Sequence, residues 1–350
     1  MNIRRNLLRE KLNEGKPTVG THILSCWPTL VELIGHSRQY DYVEFTAEYA
    51  PFDMHDLDNL GRAFEVAGLG GMIKIEQTQY THQAMRAIGS GFQSVLFADI
   101  RTVDDARLAV DAVRAETTMA KGARGRGRLG VGMRRDVGVV RQGGQPAYVD
   151  ALNEIVIAIM VEKKSCVDNL EEILRVPGID MVQFGASDFS MSIGKTGQYS
   201  NPEVLEAEQH VIKTALKRGK NPRVELRDPS QAQKYLDMGV QHFCIGWDVR
   251  ILADWWDTKG ADMRKMLRTK PGKAKAAPAK APARKGNGRD AGRGKGESHA
   301  VEFMSSPMGV GTVILLPVPG VPGIFRFAGV SHVRHHAPRP PAPIPLLRRH

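Results

Sequence analysis

The run IVIAIMVE (155–162) ends on Glu162, a carboxylate closing an otherwise apolar stretch, where burying an unpaired charge would be costly. The run MVQFGA (181–186) is followed, one residue on, by Asp188. Two carboxylates on neighbouring strands, with positions left for water and substrate, suit a hard divalent cation. Magnesium or manganese fits such oxygen donors best, with cobalt or zinc as alternatives. The bland alternative is a pair that caps helices or bonds to nearby arginines. Other short apolar runs also carry ionisable groups at or near their ends: His22 in TVGTHIL (18–24), Glu48 and Tyr49 after YVEFTA (42–47), Lys74 and Glu76 in GMIKIE (71–76), and Asp99 in SVLFAD (94–99). Each alone reads as a satisfied loop charge. A purely structural frame has little reason to assemble the whole set.

Such groups can meet only if the fold gathers the ends of many strands. RVELR (223–227) and HFCIG (242–246) bring the strand candidates to eight. Segments of helical period lie between them. VDDARLAVDAVRAE (103–116) and VDNLEEILRV (167–176) repeat apolar residues at i, i+3 or i+4, and i+7. Strands alternating with helices predict parallel βαβ units. Eight of them in roughly 250 residues fit an α/β fold of the (β/α)8 TIM-barrel type, in which polar residues at the C-terminal strand ends face the site. We place this barrel at 1–268. No GxGxxG follows the first strand, which argues against a dinucleotide-binding sheet. The Gly- and Arg-rich connection from 117 to 150 reads as an active-site loop with a short helix. Its Arg124, Arg126, Arg128, Arg134 and Arg135 form either a site for a distal carboxylate or phosphate, or a solvated basic loop.

The chain has 350 residues and a net charge of +11, yet 271–350 alone holds 13 Lys and Arg against 3 Asp and Glu. The first 270 residues, with 36 against 35, are nearly neutral. The basic character therefore belongs to a Lys/Ala/Pro/Gly-rich tail, 269–350, expected to be disordered. Contact of that tail with nucleic acid is a secondary expectation beside the chemistry of the barrel. Three scattered cysteines without a CxxC pair point to a reducing, cytoplasmic setting. Neither a signal peptide nor an apolar membrane-spanning run is expected.

The order YDYVEFTAEYAPFD (40–53), MIKIE (72–76), GFQSVLFADIRTVDDAR (91–107), IAIMVE (157–162) and VPGIDMVQFGASDFSMSIG (176–194) resembles the HpcH/HpaI family of class II, pyruvate-dependent aldolases. The resemblance covers nearly all of residues 5–260 and continues through YLDMGVQHFCIGWDVRIL. It implies a carbon–carbon lyase that cleaves or forms 4-hydroxy-2-oxo acids from a small 2-oxo acid and an aldehyde, through a metal-stabilised pyruvate enolate. Glu162 and Asp188 match the family's metal pair. Glu48 and the backbone around Gly185, Ala186 and Ser187 would bind substrate. Members form homo-oligomers, so Trp255 and Trp256 in the closing helix are expected at a subunit contact or, alternatively, in the core.

Three positions depart from the family pattern. Tyr49 stands where the family's histidine does, Lys74 replaces an arginine, and Gly89 falls where an aspartate partners that histidine. In one reading Tyr49 handles the proton, and in another His22 serves as base instead; a phenol near pKa 10 is a poor base at neutral pH unless a metal or Lys74 lowers it. A different enolate reaction, condensation or decarboxylation, is a further reading. So are a Schiff base on Lys74 and a barrel that binds without catalysing.

Overall fold

The computed structural model describes residues 4–117, 127–132, 135, 145–268, 312–317 and 325–331. Two compact units result, Met1–Pro271 and Gly272–His350. In the first, eight parallel strands close a barrel in the order of the sequence. They are β1 (Thr18–Ile23), β2 (Tyr42–Thr46), β3 (Gly70–Ile75), β4 (Ser94–Phe97), β5 (Val156–Val161), β6 (Met181–Phe184), β7 (Asn221–Leu226) and β8 (His242–Trp247). This is the TIM barrel expected from the alternating pattern.

Strands such as VIAIMV and GGMIKI are buried throughout because both faces are covered. Their outward residues, among them Val43, Phe45, Ile73, Val95 and Ile157, join the helices in the main core. Their inward residues, among them Tyr42, Met72, Leu96, Ala158 and Met181, fill the barrel together with Leu8. Leu8 lies on the opening helix Leu7–Asn13, which closes the N-terminal end. Arg9 fixes that helix by an ion pair to Asp180 (2.5 Å) and a hydrogen bond to the Ile155 carbonyl (3.1 Å).

Local signals set the helix starts. Asp53 and Thr102 each form a reciprocal capping box, opening Met54–Ala67 and Val103–Asp111. The helical stretch expected at 167–176 is instead two short helices, Lys164–Asp168 and Leu170–Ile173. The short helix expected in the long connection is Pro146–Asn153. Arg124, Arg126 and Arg134 lie outside the described residues.

In the second unit, β9 (Thr312–Pro317) and β10 (Phe325–Ser331) pair antiparallel. The expectation of a structureless tail did not assign them, because prolines interrupt the period. The rest of 269–350 lies outside the described residues.

Candidate active site

The C-terminal strand ends surround a cavity of about 420 Å³. Its walls include His22, Tyr49, Lys74, Glu162, Gly185, Ala186, Ser187 and Asp188. Eight residues singled out in the sequence thus share one chamber. Glu48, expected to touch substrate, lies behind it, its carboxylate 2.6 Å from the Lys74 ammonium. The reason is register: Thr46 pairs with Lys74 across β2 and β3, so the chain leaving β2 brings Glu48 back over Lys74, where the Glu48 N–H donates to the Lys74 carbonyl (3.1 Å).

Glu162 emerges from β5 with only 3% of its surface exposed. Burial, with Asp188 and Glu48 nearby, pushes its carboxyl up to about 7 against the opposing pull of Lys74 and the Asp99 N–H. That N–H donates to Glu162 Oε1 at 2.7 Å. Asp99 makes this bond from a left-handed backbone (φ 59°), uncommon outside glycine. At the end of the adjacent strand β6, Gly185 leaves room for the same carboxylate: a Cβ there would lie 2.5 Å from Glu162 Oε2. Asp188 follows in the first turn of Ala186–Ser192. Its Oδ1 accepts from Lys163 at 2.6 Å. A buried carboxyl held near neutrality, a second carboxylate close enough to raise it, and a glycine that clears its outer oxygen together fit a divalent cation.

Lys74 is buried, and its ammonium is shared. It lies 2.6 Å from Glu48 and 3.3 Å from the Tyr49 hydroxyl. Burial opposes its charge, but Glu162 and Glu48 outweigh this and raise its pKa. A Schiff-base lysine needs a lowered pKa, so this environment speaks against that chemistry. Lys74 by itself does not lower Tyr49. The side chain is exposed, yet its partial desolvation, with Glu48 and Glu162 nearby, raises the pKa more than Lys74 lowers it, so the phenol stays protonated at neutral pH.

His22 occupies the opposite side. Its ring meets Trp247 edge-on at 5.3 Å, and Nε2 lies 3.6 Å from Glu225. Beneath it runs a buried network absent from the sequence reading. Arg223 on β7 donates to the Tyr42 hydroxyl at 2.7 Å and also bonds Gln183 and Glu44. Gly20 makes this possible, because the Tyr42 ring lies where a Cβ would be. Charged residues inside the apolar runs YVEFT and NPRVEL were the available signal for Glu44 and Arg223. Lys163 had only its place beside Glu162. Among the described residues, His22, Glu44 and Cys244 form a three-donor cluster within 4.8 Å. Arg223 already pairs Glu44 there, and burial raises the Cys244 thiol, so the cluster is a poor cation site.

The Gly185 N–H donates to the Val161 carbonyl (3.1 Å), so it is unavailable to the substrate carboxylate expected there. Gly89 lies in the helix Tyr80–Ser90 and lines a separate cavity of about 690 Å³. Of the loop arginines, Arg135 pairs with Glu65 (3.0 Å) and Arg128 lies 3.8 Å from Asp111, so neither enters the chamber.

Comparison with known proteins gives the chain its relatives. A profile described as HpcH/HpaI aldolase/citrate lyase matches residues 22–254. The chain is 29% identical over 260 residues to a 2-keto-3-deoxy-L-rhamnonate aldolase of Escherichia coli O157:H7, covering 73% of this chain and 91% of the relative. A solved HpcH/HpaI aldolase from Desulfitobacterium hafniense DCB-2 superposes with a TM-score of 0.63 at 25% identity, over 77% of this chain and 99% of the other. A HpcH/HpaI aldolase/citrate lyase family protein from Burkholderia cenocepacia J2315 gives 0.65 at 25%, over 74% and 100%.

Proposed function

The chain belongs to the HpcH/HpaI aldolase/citrate lyase family, and from that premise we propose that Glu162 and Asp188 hold its divalent cation while Tyr49 moves the proton. The protein is a carbon–carbon lyase of the metal-dependent aldolase type. The observation that carries the site assignment is Glu162, buried, raised to about 7 and facing the clearance at Gly185. Magnesium or manganese suits the two carboxylates. When bound, such a cation supplies Lewis-acid polarisation of the carbonyl of a 2-oxo acid.

The chain's own groups do the rest. Lys74 keeps a fixed positive charge beside the chamber and favours negative charge developing on substrate oxygen. In the addition direction the Tyr49 phenol gives its proton to the oxygen of the aldehyde as the new bond forms. Lys74, 3.3 Å away, steadies the phenolate this leaves; cleavage is the reverse, beginning from the minor phenolate form of Tyr49, which takes the proton of the 4-hydroxyl and ends as the phenol. His22, set against Glu225 and Trp247, walls the opposite side and orients the chain of the substrate. The resemblance to a 2-keto-3-deoxy-L-rhamnonate aldolase makes a hydroxylated 2-oxo acid the substrate class to try first.

The test compares Tyr49→Phe with His22→Ala in the cleavage of such an acid. Tyr49→Phe is expected to lower kcat by about 100-fold or more, and His22→Ala to act mainly on KM. Unchanged kcat in Tyr49→Phe would remove Tyr49 from the mechanism.

The closing helix Asp248–Arg268 gives a reason to expect a homo-oligomer. Asp248 is its one buried residue, bonded to the Leu24 and Ser25 N–H groups. Ile251, Leu252, Trp255, Trp256 and Met263 are exposed, a stripe suited to a second copy rather than to water. Three free cysteines suit a cytoplasmic setting.

A further inference from the structure

Lys163 follows Glu162 directly, and its ammonium bridges two carboxylates. It is 2.6 Å from Asp188 Oδ1 and 2.7 Å from Asp99 Oδ1, with the side chain 15% exposed. Asp99 is itself tied to the site through its N–H on Glu162 Oε1. The contacts therefore run from one carboxylate of the pair to the other: Glu162, Asp99, Lys163, Asp188. We propose that Lys163 is a tethered counter-cation that competes with the divalent ion for Asp188 and so sets how tightly the ion is held. This rests on Glu162 and Asp188 being the ligands.

Two physical points favour a competitor over a simple surface ion pair. A divalent ion on Asp188 meets the ammonium at close range, and their repulsion subtracts from the ion's affinity. Asp99 gives that ammonium a second carboxylate, so Lys163 can yield Asp188 and keep a partner. A lysine bound to Asp188 alone would have to leave its charge unpaired in a half-buried place. The bridge makes exchange inexpensive and keeps the affinity for the ion moderate.

The experiment is calorimetric titration of the full chain with Mn²⁺ alone, after chelator treatment, for the parent, Lys163→Met and Lys163→Arg. Lys163→Met is expected to bind Mn²⁺ roughly tenfold more tightly or better, from the lost repulsion. Its melting temperature without metal should fall, and the rise on adding Mn²⁺ should exceed the parent's. Lys163→Arg, which keeps the charge, should stay near the parent. Lys163→Gln provides the same comparison if the methionine variant fails to fold. Equal or weaker Mn²⁺ binding in the neutral variants would overturn the proposal. Glu162→Gln and Asp188→Asn separate the two levels: both should lose Mn²⁺ binding. If they bind like the parent, the ligand assignment fails. If they lose binding while the neutral Lys163 variants do not tighten, only the counter-cation role fails.

Discussion

Glu162→Gln separates the cost of a buried carboxylate from its use. In the metal-free protein the carboxyl titrates at about 7 rather than at its ordinary 4.5. The folded state therefore holds the proton more strongly than the unfolded chain. The associated stability is fully present below about pH 4.5 and is lost as pH rises through 7. A gap of about 2.5 units corresponds to about 3 kcal/mol, an order-of-magnitude figure for a group this buried. Glutamine keeps the shape and has no such titration. Lys74 retains Glu48 as a partner in the variant. Urea unfolding of chelator-treated protein at pH 5, 6, 7 and 8 should show the variant gaining on the parent as pH rises, with the gap levelling off above 7. Saturating Mn²⁺ should reverse the order at pH 8, because only the parent binds it. A parent–variant difference that is flat across this range, or that shrinks with pH, would refute the reasoning.

Other outcomes follow from the same geometry. Arg223→Met strands Glu44, only 2% exposed, and should cost about 3–5 kcal/mol in urea unfolding; Glu44→Leu added to it should restore much of the loss. Gly185→Ala puts a methyl 2.5 Å from Glu162 Oε2. It should weaken Mn²⁺ binding by about 10- to 100-fold in calorimetry while the far-UV spectrum stays that of the parent. Replacing Trp255 and Trp256 together by Ala should lower the mass seen by light scattering at fixed concentration, and an unchanged mass would clear this helix of the subunit contact.

Much of the barrel was legible because its signals are local. Apolar runs, helical period and caps such as Thr102 each act within a few residues, so all eight strands could be read in order. The same holds for Glu162 and Asp188, since a charge closing an apolar strand is visible without knowing its neighbours. The breaks at 167–176 were less legible, because Asn169 ends one short helix and begins the next within a continuous apolar period.

What sequence alone determined, then, was the barrel and the two strand-end carboxylates that share one chamber of it. Tertiary structure decided how those groups are charged and what they touch. Arg223 and Glu44 are 179 residues apart and meet only because the barrel closes. Glu48 turns from the chamber to Lys74, the Tyr49 phenol is raised rather than lowered beside that lysine, and Lys163 reaches Asp188 and Asp99 from the strand between them. Ionisation depends on desolvation and on every nearby charge, and in a barrel those neighbours come from strands far apart in the chain.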